Sequence, residues 1–292
     1  GGYYGARLAL CGEDVRFLLR GDLAGVRRQG FTLRERDATR RLEHVAAFGT
    51  PGEIGAVDVV LIALKTTANG ALATLLPPLI GPRTVVVTLQ NGLGNEERVA
   101  AVVGAERVLG ALCYIGVTRE GPGEIAGHQS PGAMAIGEFG RRAGEQARRA
   151  ADLFRRAGVN VRLSDNLAEA RWQKLAWNVP FNGLAISAGG ITTDRILADP
   201  ALAAEARALM EELARAGRAF GYEITGQFIE KQFEFTPTLG AYQPSSLVDF
   251  LAGREVEIEA IWGEPLRRAL EAGVEMPRLA ELYGRLQAAT KG

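Results

Sequence analysis

The sequence predicts an α/β fold: an N-terminal half built on a doubly wound parallel sheet, then a C-terminal half that is all helical. The runs 57–64 (VDVVLIAL) and 84–89 (TVVVTL) are continuous and rich in β-branched residues, as in strands buried on both faces of a parallel sheet. Such runs stop near residue 165, and helical periodicity dominates from there on. We therefore expect two domains, residues 1–165 and residues 166–292.

Alternating strand and helix signals in the N-terminal half are typical of consecutive βαβ units. They predict strands at 15–19, 57–64, 84–89, 107–115, 133–139 and 159–163, and helices at 3–11, 68–76, 95–103 and 144–157. In the C-terminal half, apolar periodicity predicts helices at 167–186, 200–222, 246–272 and 277–289. The Asp199-Pro200 pair marks the start of the second of these, because proline suits the first turn of a helix.

Composition excludes several functional classes. The 34 Lys and Arg residues balance the 34 Asp and Glu residues, so no net charge points to nucleic acid or to an anionic membrane surface. No apolar run approaches the roughly 18 residues that span a bilayer. With only Cys11, Cys113, His44 and His128, a disulfide framework, a metal site or a Ser-His-Asp triad has little material. We expect a cytoplasmic protein that binds no metal.

The opening segment, GGYYGARLALCGEDVRFLLR, looks like the second part of a dinucleotide-binding βαβ unit of the Rossmann type. In such a unit a strand ends in G-x-G-x-x-G and a helix follows. Gly1 or Gly2 would be the last glycine of that fingerprint. We therefore expect that the first strand and two glycines precede the printed sequence, in about ten further residues. The alternative is that the two glycines merely cap a helix.

Arg20 follows the predicted second strand, about 20 residues after the glycines. NAD-binding proteins place an acidic residue there, on the ribose 2′-hydroxyl, whereas an arginine accommodates a 2′-phosphate. A guanidinium binds phosphate through two parallel hydrogen bonds, so Arg20 predicts a preference for NADP(H). The alternative is a solvated arginine.

Polar residues also follow two other predicted strands. Lys65 comes directly after 57–64, and Gln90-Asn91-Gly92 comes directly after 84–89. Ligands of open parallel sheets lie beyond the carboxyl ends of the strands, so these residues are placed to meet cofactor or substrate. Asn-Gly is also a common turn pair, and a plain turn remains the alternative at this position.

The helix predicted at 167–186 carries an unusual polar stripe. Lys174, Asn178 and Asn182 are spaced by four residues and share one face of an otherwise apolar helix. Burying such groups is costly unless they line a wet cleft. Pro180 predicts a kink. A lysine can act as a general acid and amides can orient substrate oxygens, which suits carbonyl reduction. An exposed stripe is the alternative.

A second polar segment, PSSLVDFLAGREVEIEAIW, lies near the C-terminus. Ser245 and Ser246 open a helix-like stretch, where hydroxyl and free N–H groups suit a carboxylate. Glu255, Glu257 and Glu259 alternate with apolar residues, so at most one or two of them would face a cleft. A solvated acidic face is the alternative.

Together these segments resemble the ketopantoate reductase (2-dehydropantoate 2-reductase) family along nearly the whole chain. The motifs that carry the resemblance are GGYYGARL, LLR, LK, QNGLGN, RWQKLAWNVPFN, PSS, EIEAIWG and GVEMP. The resemblance implies a Rossmann domain and a helical domain with the substrate between them. It also implies NADPH-dependent reduction of ketopantoate to pantoate, on the route to pantothenate and coenzyme A.

The resemblance also implies roles for individual residues. Lys174 falls on the catalytic lysine of the family and Glu257 on its motif glutamate. The substrate-binding positions fall on Asn91, Asn178, Asn182 and Ser246. Arg20 and Lys65 match cofactor-contacting positions, as do Gly1, Gly2 and Asn91. The implied partner is a small 2-keto acid, with no nucleic acid or membrane, and a homodimer is possible.

Three departures from the family pattern concern the substrate and cofactor sites. Trp262 replaces an asparagine of the usual E-I-D-Y-x-N-G pattern, and the stretch from Ser246 to Glu257 is one residue shorter than usual. Ala68-Asn69 stand where a glutamine is common. Two alternatives therefore stay open: a family member that reduces another 2-keto acid, and a non-catalytic regulator that binds NADP(H).

Overall fold

Contacts within the chain divide it into two compact units. The computed structural model describes residues 1–128 and 132–290. The first unit comprises Gly1–Gln90 and Glu96–Leu167, and the second comprises Asn91–Asn95 together with the chain from Ala168 onward. The short segment after the 84–89 run thus groups with the helical half, which differs from the sequence-based division. No described helix is long and apolar enough to cross a membrane.

The N-terminal half contains all the described strands and six α-helices. Its strands are β1 (Arg16–Leu18), β2 (Phe31–Glu35), β3 (Thr39–Leu42), β4 (Ala46–Phe48), β5 (Val57–Ile62), β6 (Ile80–Thr88), β7 (Val108–Tyr114), β8 (Val117–Gly121), β9 (Glu124–Gly127), β10 (Ala133–Glu138) and β11 (Asn160–Leu163). Its helices are α1 (Gly2–Leu10), α2 (Leu23–Gln29), α3 (Pro51–Ile54), α4 (Leu72–Leu75), α5 (Asn95–Val103) and α6 (Glu145–Arg156). The predicted helix 68–76 is a 3-10 helix over Thr66–Ala71 followed by the single turn of α4.

The parallel sheet predicted from the apolar runs is confirmed. Strands β5, β6 and β7 are adjacent and parallel, within a five-stranded sheet of order β11-β10-β7-β6-β5. Val86 and Val87 on β6 are fully buried, as expected for a strand covered on both faces. Two strands depart from the all-parallel pattern, because β10 is antiparallel to β7 and β11 is parallel to β10. Strand β1 pairs in parallel with β4, its one strand partner among the described residues.

A second sheet was not predicted from the sequence. Strands β2, β3, β8 and β9 form a four-stranded sheet of order β3-β2-β9-β8. Its edge strands β3 (TRRL) and β8 (VTREG) are mostly exposed and polar, so they lack the apolar runs on which strand prediction depends. The sheet contributes Phe31, Leu33 and Ile125 to the core beneath α1.

The C-terminal half is helical, as predicted. Its helices are α7 (Leu167–Ser187), α8 (Thr193–Ala198), α9 (Pro200–Ala219), α10 (Gly226–Phe235), α11 (Ser245–Leu251), α12 (Glu264–Glu271) and α13 (Pro277–Ala289). The Asp199 carboxylate caps α9 by accepting hydrogen bonds from the N–H groups of Ala201 (2.8 Å) and Leu202 (3.2 Å). The helix expected over 246–272 is interrupted, because Gly253 adopts a positive φ of 62° just after α11. The helix resumes as a π-turn over Glu259–Gly263 that leads directly into α12.

Candidate active site

Helix α7 carries the polar stripe into the interior of the helical unit. Asn178 and Asn182 are buried, and Lys174 is half-buried. The opposite faces supply Leu175, Val179 and neighbouring residues to the apolar core. An exposed stripe is therefore excluded for the two asparagines, and their burial requires polar partners.

Lys174 is hydrogen-bonded to Asn91, in the segment that follows β6. Its Nζ donates a 2.8 Å hydrogen bond to Oδ1 of Asn91. The two residues are 83 positions apart in the sequence, but both belong to the helical unit. Asn91 and the α7 stripe are therefore in direct contact, and Asn91 does more than form a turn.

The Asn91–Asn95 segment is fixed by contacts that only glycine permits at its second position. Gly92 has a φ of +84°, and a Cβ there would lie 2.3 Å from the carbonyl oxygen of Ala260. The N–H of Leu93 donates to that same carbonyl at 2.9 Å, and Asn95 Nδ2 donates to Asn91 O at 2.8 Å. The segment thus packs directly on the π-turn, a type of irregularity that is common at functional sites.

Asn182 joins α7 to the start of α11. It is 1% exposed, and its Oδ1 accepts a 2.9 Å hydrogen bond from the N–H of Ser246 while its Nδ2 donates to Asn178 O at 3.0 Å. Ser246 is buried, whereas Ser245 is exposed. Of the two serines, Ser246 is therefore the one whose backbone N–H contacts the asparagine stripe.

Burial distinguishes Glu257 from its two neighbouring glutamates. Glu255 and Glu259 are exposed, whereas Glu257 is 7% exposed. Glu259 accepts a hydrogen bond from the hydroxyl of Tyr283, and burial together with this bond raises the pKa of Tyr283 to about 12. A buried carboxylate is the less common case and needs polar partners, so Glu257 is the functional candidate of the three.

Trp262, which departs from the family pattern, lies in the interior of the helical unit. It is fully buried in the core of the helical unit, and its Nε1 donates to Val179 O at 3.0 Å. Gly183 leaves room for it, since a Cβ at that position would lie 2.9 Å from the indole nitrogen. Trp262 therefore supports α7 next to Pro180, where the chain lacks one helix N–H.

In the first unit, α1 begins beside the carboxyl end of β5. A Cβ on Gly1 would lie 3.2 Å from Cβ of Ala63, and a Cβ on Gly2 would lie 2.8 Å from Cδ1 of Ile125. The glycines thus permit close packing of the helix start against the sheets, one of the reasons for glycine in dinucleotide-binding turns. Arg20 lies two residues after β1, is exposed, and pairs with no carboxylate among the described residues.

A buried amide lies at the carboxyl ends of β5 and β6. Gln90 is 4% exposed, and its Nε2 donates to Leu64 O at 3.0 Å and to Asn69 Oδ1 at 2.7 Å. Thr88 Oγ1 donates to Gln90 Oε1 at 3.0 Å. Lys65, between the two anchored points, is exposed. In the sequence, the position of Gln90 just before Asn-Gly, after a predicted strand, is the one signal of this role.

The described residues hold no group of three or more His, Cys, Asp or Glu side chains that could bind a metal ion. Polar residues after the strands of a parallel sheet, and a helical unit with a half-buried lysine beside two buried asparagines, are typical of a two-domain oxidoreductase.

The chain belongs to the ketopantoate reductase family. The family described as "Ketopantoate reductase PanE/ApbA" matches residues 1–141, and its C-terminal counterpart matches residues 166–290.

Individual relatives agree with this assignment. The chain is 34% identical to a 2-dehydropantoate 2-reductase of Nostoc sp., with 98% of this chain and 91% of the relative covered. It is also similar to the 2-dehydropantoate 2-reductase from Geobacter metallireducens, whose crystal structure is known. The sequence identity is 39% and the TM-score is 0.95, with 99% of this chain and 96% of that chain covered. A D-mandelate dehydrogenase in a ternary structure with NADH and anilino(oxo)acetate shares the fold at 21% identity and a TM-score of 0.90, covering 99% of this chain and 94% of that one.

Proposed function

We propose that this protein is an NADPH-dependent 2-dehydropantoate 2-reductase, which reduces the keto group of ketopantoate to the hydroxyl of pantoate. The observation that carries the proposal is the hydrogen bond from Lys174 to Asn91, on a helix whose next two polar positions are buried asparagines. Two relatives that are 34% and 39% identical are named 2-dehydropantoate 2-reductases, which supports the same substrate.

Lys174 is proposed as the general acid. Carbonyl reduction adds a hydride to the 2-keto carbon and a proton to the oxygen, on which negative charge develops. A bound nicotinamide cofactor supplies the hydride. The ammonium of Lys174 supplies the proton from Nζ, and the hydrogen bond to Asn91 fixes the position of that atom. The amine that remains is reprotonated from solvent.

The neighbouring polar groups are proposed to hold the substrate. Asn178 lies four residues after Lys174, about one turn further along α7, where its amide can bind an oxygen of the 2-keto acid. Asn182 places the N-terminal residues of α11 next to the stripe through its bond to Ser246. Ser246 is assigned to the substrate carboxylate, and buried Glu257 to the distal hydroxyl of ketopantoate.

The residues of the first unit fit a dinucleotide that carries a 2′-phosphate. The close packing of Gly1 and Gly2 leaves the start of α1 free of side chains, where N–H groups suit a pyrophosphate. Arg20 is exposed and has no carboxylate partner among the described residues, so it is available for the 2′-phosphate. Lys65 and Asn91, at the two strand ends, are assigned to the remainder of the cofactor.

The reaction would serve pantothenate and coenzyme A synthesis. Neither Cys11 nor Cys113 forms a disulfide, which agrees with a reducing, cytoplasmic location.

Turnover of a panel of keto acids tests this function and separates it from its alternatives. Oxidation of NADPH is followed with ketopantoate, with 2-ketoisovalerate and with phenylglyoxylate at equal concentrations. The proposal expects the highest kcat/KM with ketopantoate, since Glu257 can bind its distal hydroxyl. A clear preference for another keto acid would assign the chain to a different reductase of the family, and NADPH binding without turnover of any of them would indicate a regulator.

A further inference from the structure

We propose that Gln90 is a positioning residue for the cofactor: its buried amide fixes the turn that presents Lys65. This inference rests on the proposed function, because it assigns Lys65 to the cofactor. Nothing in the family assignment gives Gln90 a role of its own.

The hydrogen bonds of Gln90 determine the orientation of its amide. Both hydrogens of Nε2 have acceptors, at Leu64 O (3.0 Å) and Asn69 Oδ1 (2.7 Å), and Oε1 accepts from Thr88 Oγ1 (3.0 Å). A flipped amide would place its oxygen against two other oxygens. Because Gln90 and Thr88 are almost completely buried, water cannot replace these bonds.

The two acceptors bracket Lys65. Leu64 directly precedes Lys65 and lies two residues after the end of β5, and Asn69 lies inside the 3-10 helix Thr66–Ala71. Lys65 itself caps that helix in an extended conformation, and its carbonyl accepts from the N–H of Ala68 at 2.9 Å. Gln90 therefore anchors the chain before Lys65, at the Leu64 carbonyl, and after it, at the Asn69 side chain. The proposed role needs no contact between Gln90 and the Lys65 side chain.

Such bracketing lowers the cost of binding an anion. A lysine on a loose turn must be ordered when it meets a phosphate, whereas a lysine on a fixed turn is already in place. Asn69, which stands near the position where the family commonly has a glutamine, accepts directly from the amide of Gln90. The role of Gln90 thus acts through Lys65 and predicts a defect in cofactor binding, with little effect on the chemical step.

The test measures the Kd for NADPH without keto acid, kcat at saturating NADPH, and the melting temperature, for the wild type, Gln90→Leu, Lys65→Ala and the double variant. We expect Gln90→Leu to raise the Kd about tenfold while kcat at saturation stays within about twofold. In the Lys65→Ala background the same change should raise the Kd by less than about twofold, because the group through which Gln90 acts is gone. The exchange Asn69→Gln with Gln90→Asn restores an amide-to-amide bridge and should recover most of the affinity.

Gln29→Leu is the matched control, because it also removes a glutamine that donates to a backbone carbonyl in the first unit, at Pro122 O. If Gln90→Leu is too unstable to study, Asn69→Ala removes one end of the bridge and should raise the Kd about threefold.

A Kd that is unchanged in a folded Gln90→Leu protein, or one that rises equally with and without Lys65, would overturn the proposal. A wild type that binds NADPH but reduces no keto acid would contradict the proposed function and leave this inference intact. A wild type that does not bind NADPH would overturn both.

Discussion

The 2.8 Å hydrogen bond between Nζ of Lys174 and Oδ1 of Asn91 joins the middle of a long helix to the residue that follows a buried strand. If Asn91 positions the ammonium, then the two side chains act as one unit. Lys174→Ala, Asn91→Ala and the double variant should therefore show kcat effects that do not add, with a coupling energy of about 0.5–3 kcal/mol. The measurement is a double-mutant cycle on kcat for NADPH oxidation with ketopantoate. Additive effects would mean that Asn91 acts independently of the lysine.

Removing the guanidinium of Arg20 should change the choice of cofactor. Charge-assisted hydrogen bonds to a phosphate account for roughly 10- to 100-fold in affinity, so Arg20→Ala should raise the KM for NADPH by about that factor. The KM for NADH should change little, because NADH lacks the 2′-phosphate. Arg83→Ala is a suitable control, since Arg83 is exposed in the amino-terminal part of β6, away from the carboxyl strand ends. Equal use of NADH and NADPH by the wild type would contradict the assignment.

A methyl group on Gly92 should disturb the site without touching Lys174. The added Cβ would meet Ala260 O at 2.3 Å and would also be strained at a φ of +84°. We expect Gly92→Ala to lose about 1–3 kcal/mol of unfolding free energy and to lower kcat/KM by roughly 10- to 100-fold as Asn91 shifts.

Gly273→Ala separates the two effects of the Gly92 substitution. Gly273 has a φ of +75° but nothing lies within 4 Å of its would-be Cβ. That variant should show the strain in thermal unfolding while keeping wild-type kcat/KM. Wild-type kcat/KM in Gly92→Ala would mean that contact with the π-turn does not position Asn91.

Glu138 predicts how stability depends on pH. Burial raises the pKa of its carboxyl, but Arg141 and the N–H groups of Ala147 and Gly144 outweigh burial and hold the pKa below its ordinary value of 4.5. A depressed pKa stabilises the fold above the ordinary value, and this contribution is lost as the pH falls below it. Urea unfolding between about pH 6 and about pH 3 should therefore show a smaller decline in Glu138→Gln than in the wild type, with about 1–3 kcal/mol already lost at neutral pH. Glu234→Gln, on the exposed surface of α10, should retain the wild-type slope.

The sequence was informative where apolar runs are long. The buried strands at 57–64 and 84–89 and helices α5, α7 and α13 were predicted to within a few residues. The four-stranded sheet escaped because its edge strands expose polar side chains, and the helix expected over 246–272 is broken at Gly253, a break for which helical periodicity gives no warning.

For the site, spacing by four residues brought out the α7 stripe, because helix geometry is local. The grouping of Asn91 with Lys174 is a tertiary relationship that no local pattern encodes. Which of three glutamates and which of two serines is buried depends on the packing of α11 and the π-turn, so burial could be read only from the structure. The burial of Trp262 likewise depends on the space left at Gly183.

The turnover number of Lys174→Ala with NADPH and ketopantoate tests the central claim most directly. Removing a general acid should lower kcat by about 10²–10⁴-fold while the melting temperature and NADPH binding stay near those of the wild type. Lys231→Ala, which removes an exposed lysine from α10, should leave kcat unchanged. A Lys174→Ala protein that turns over ketopantoate at nearly the wild-type rate would contradict the assignment of Lys174 as the proton donor.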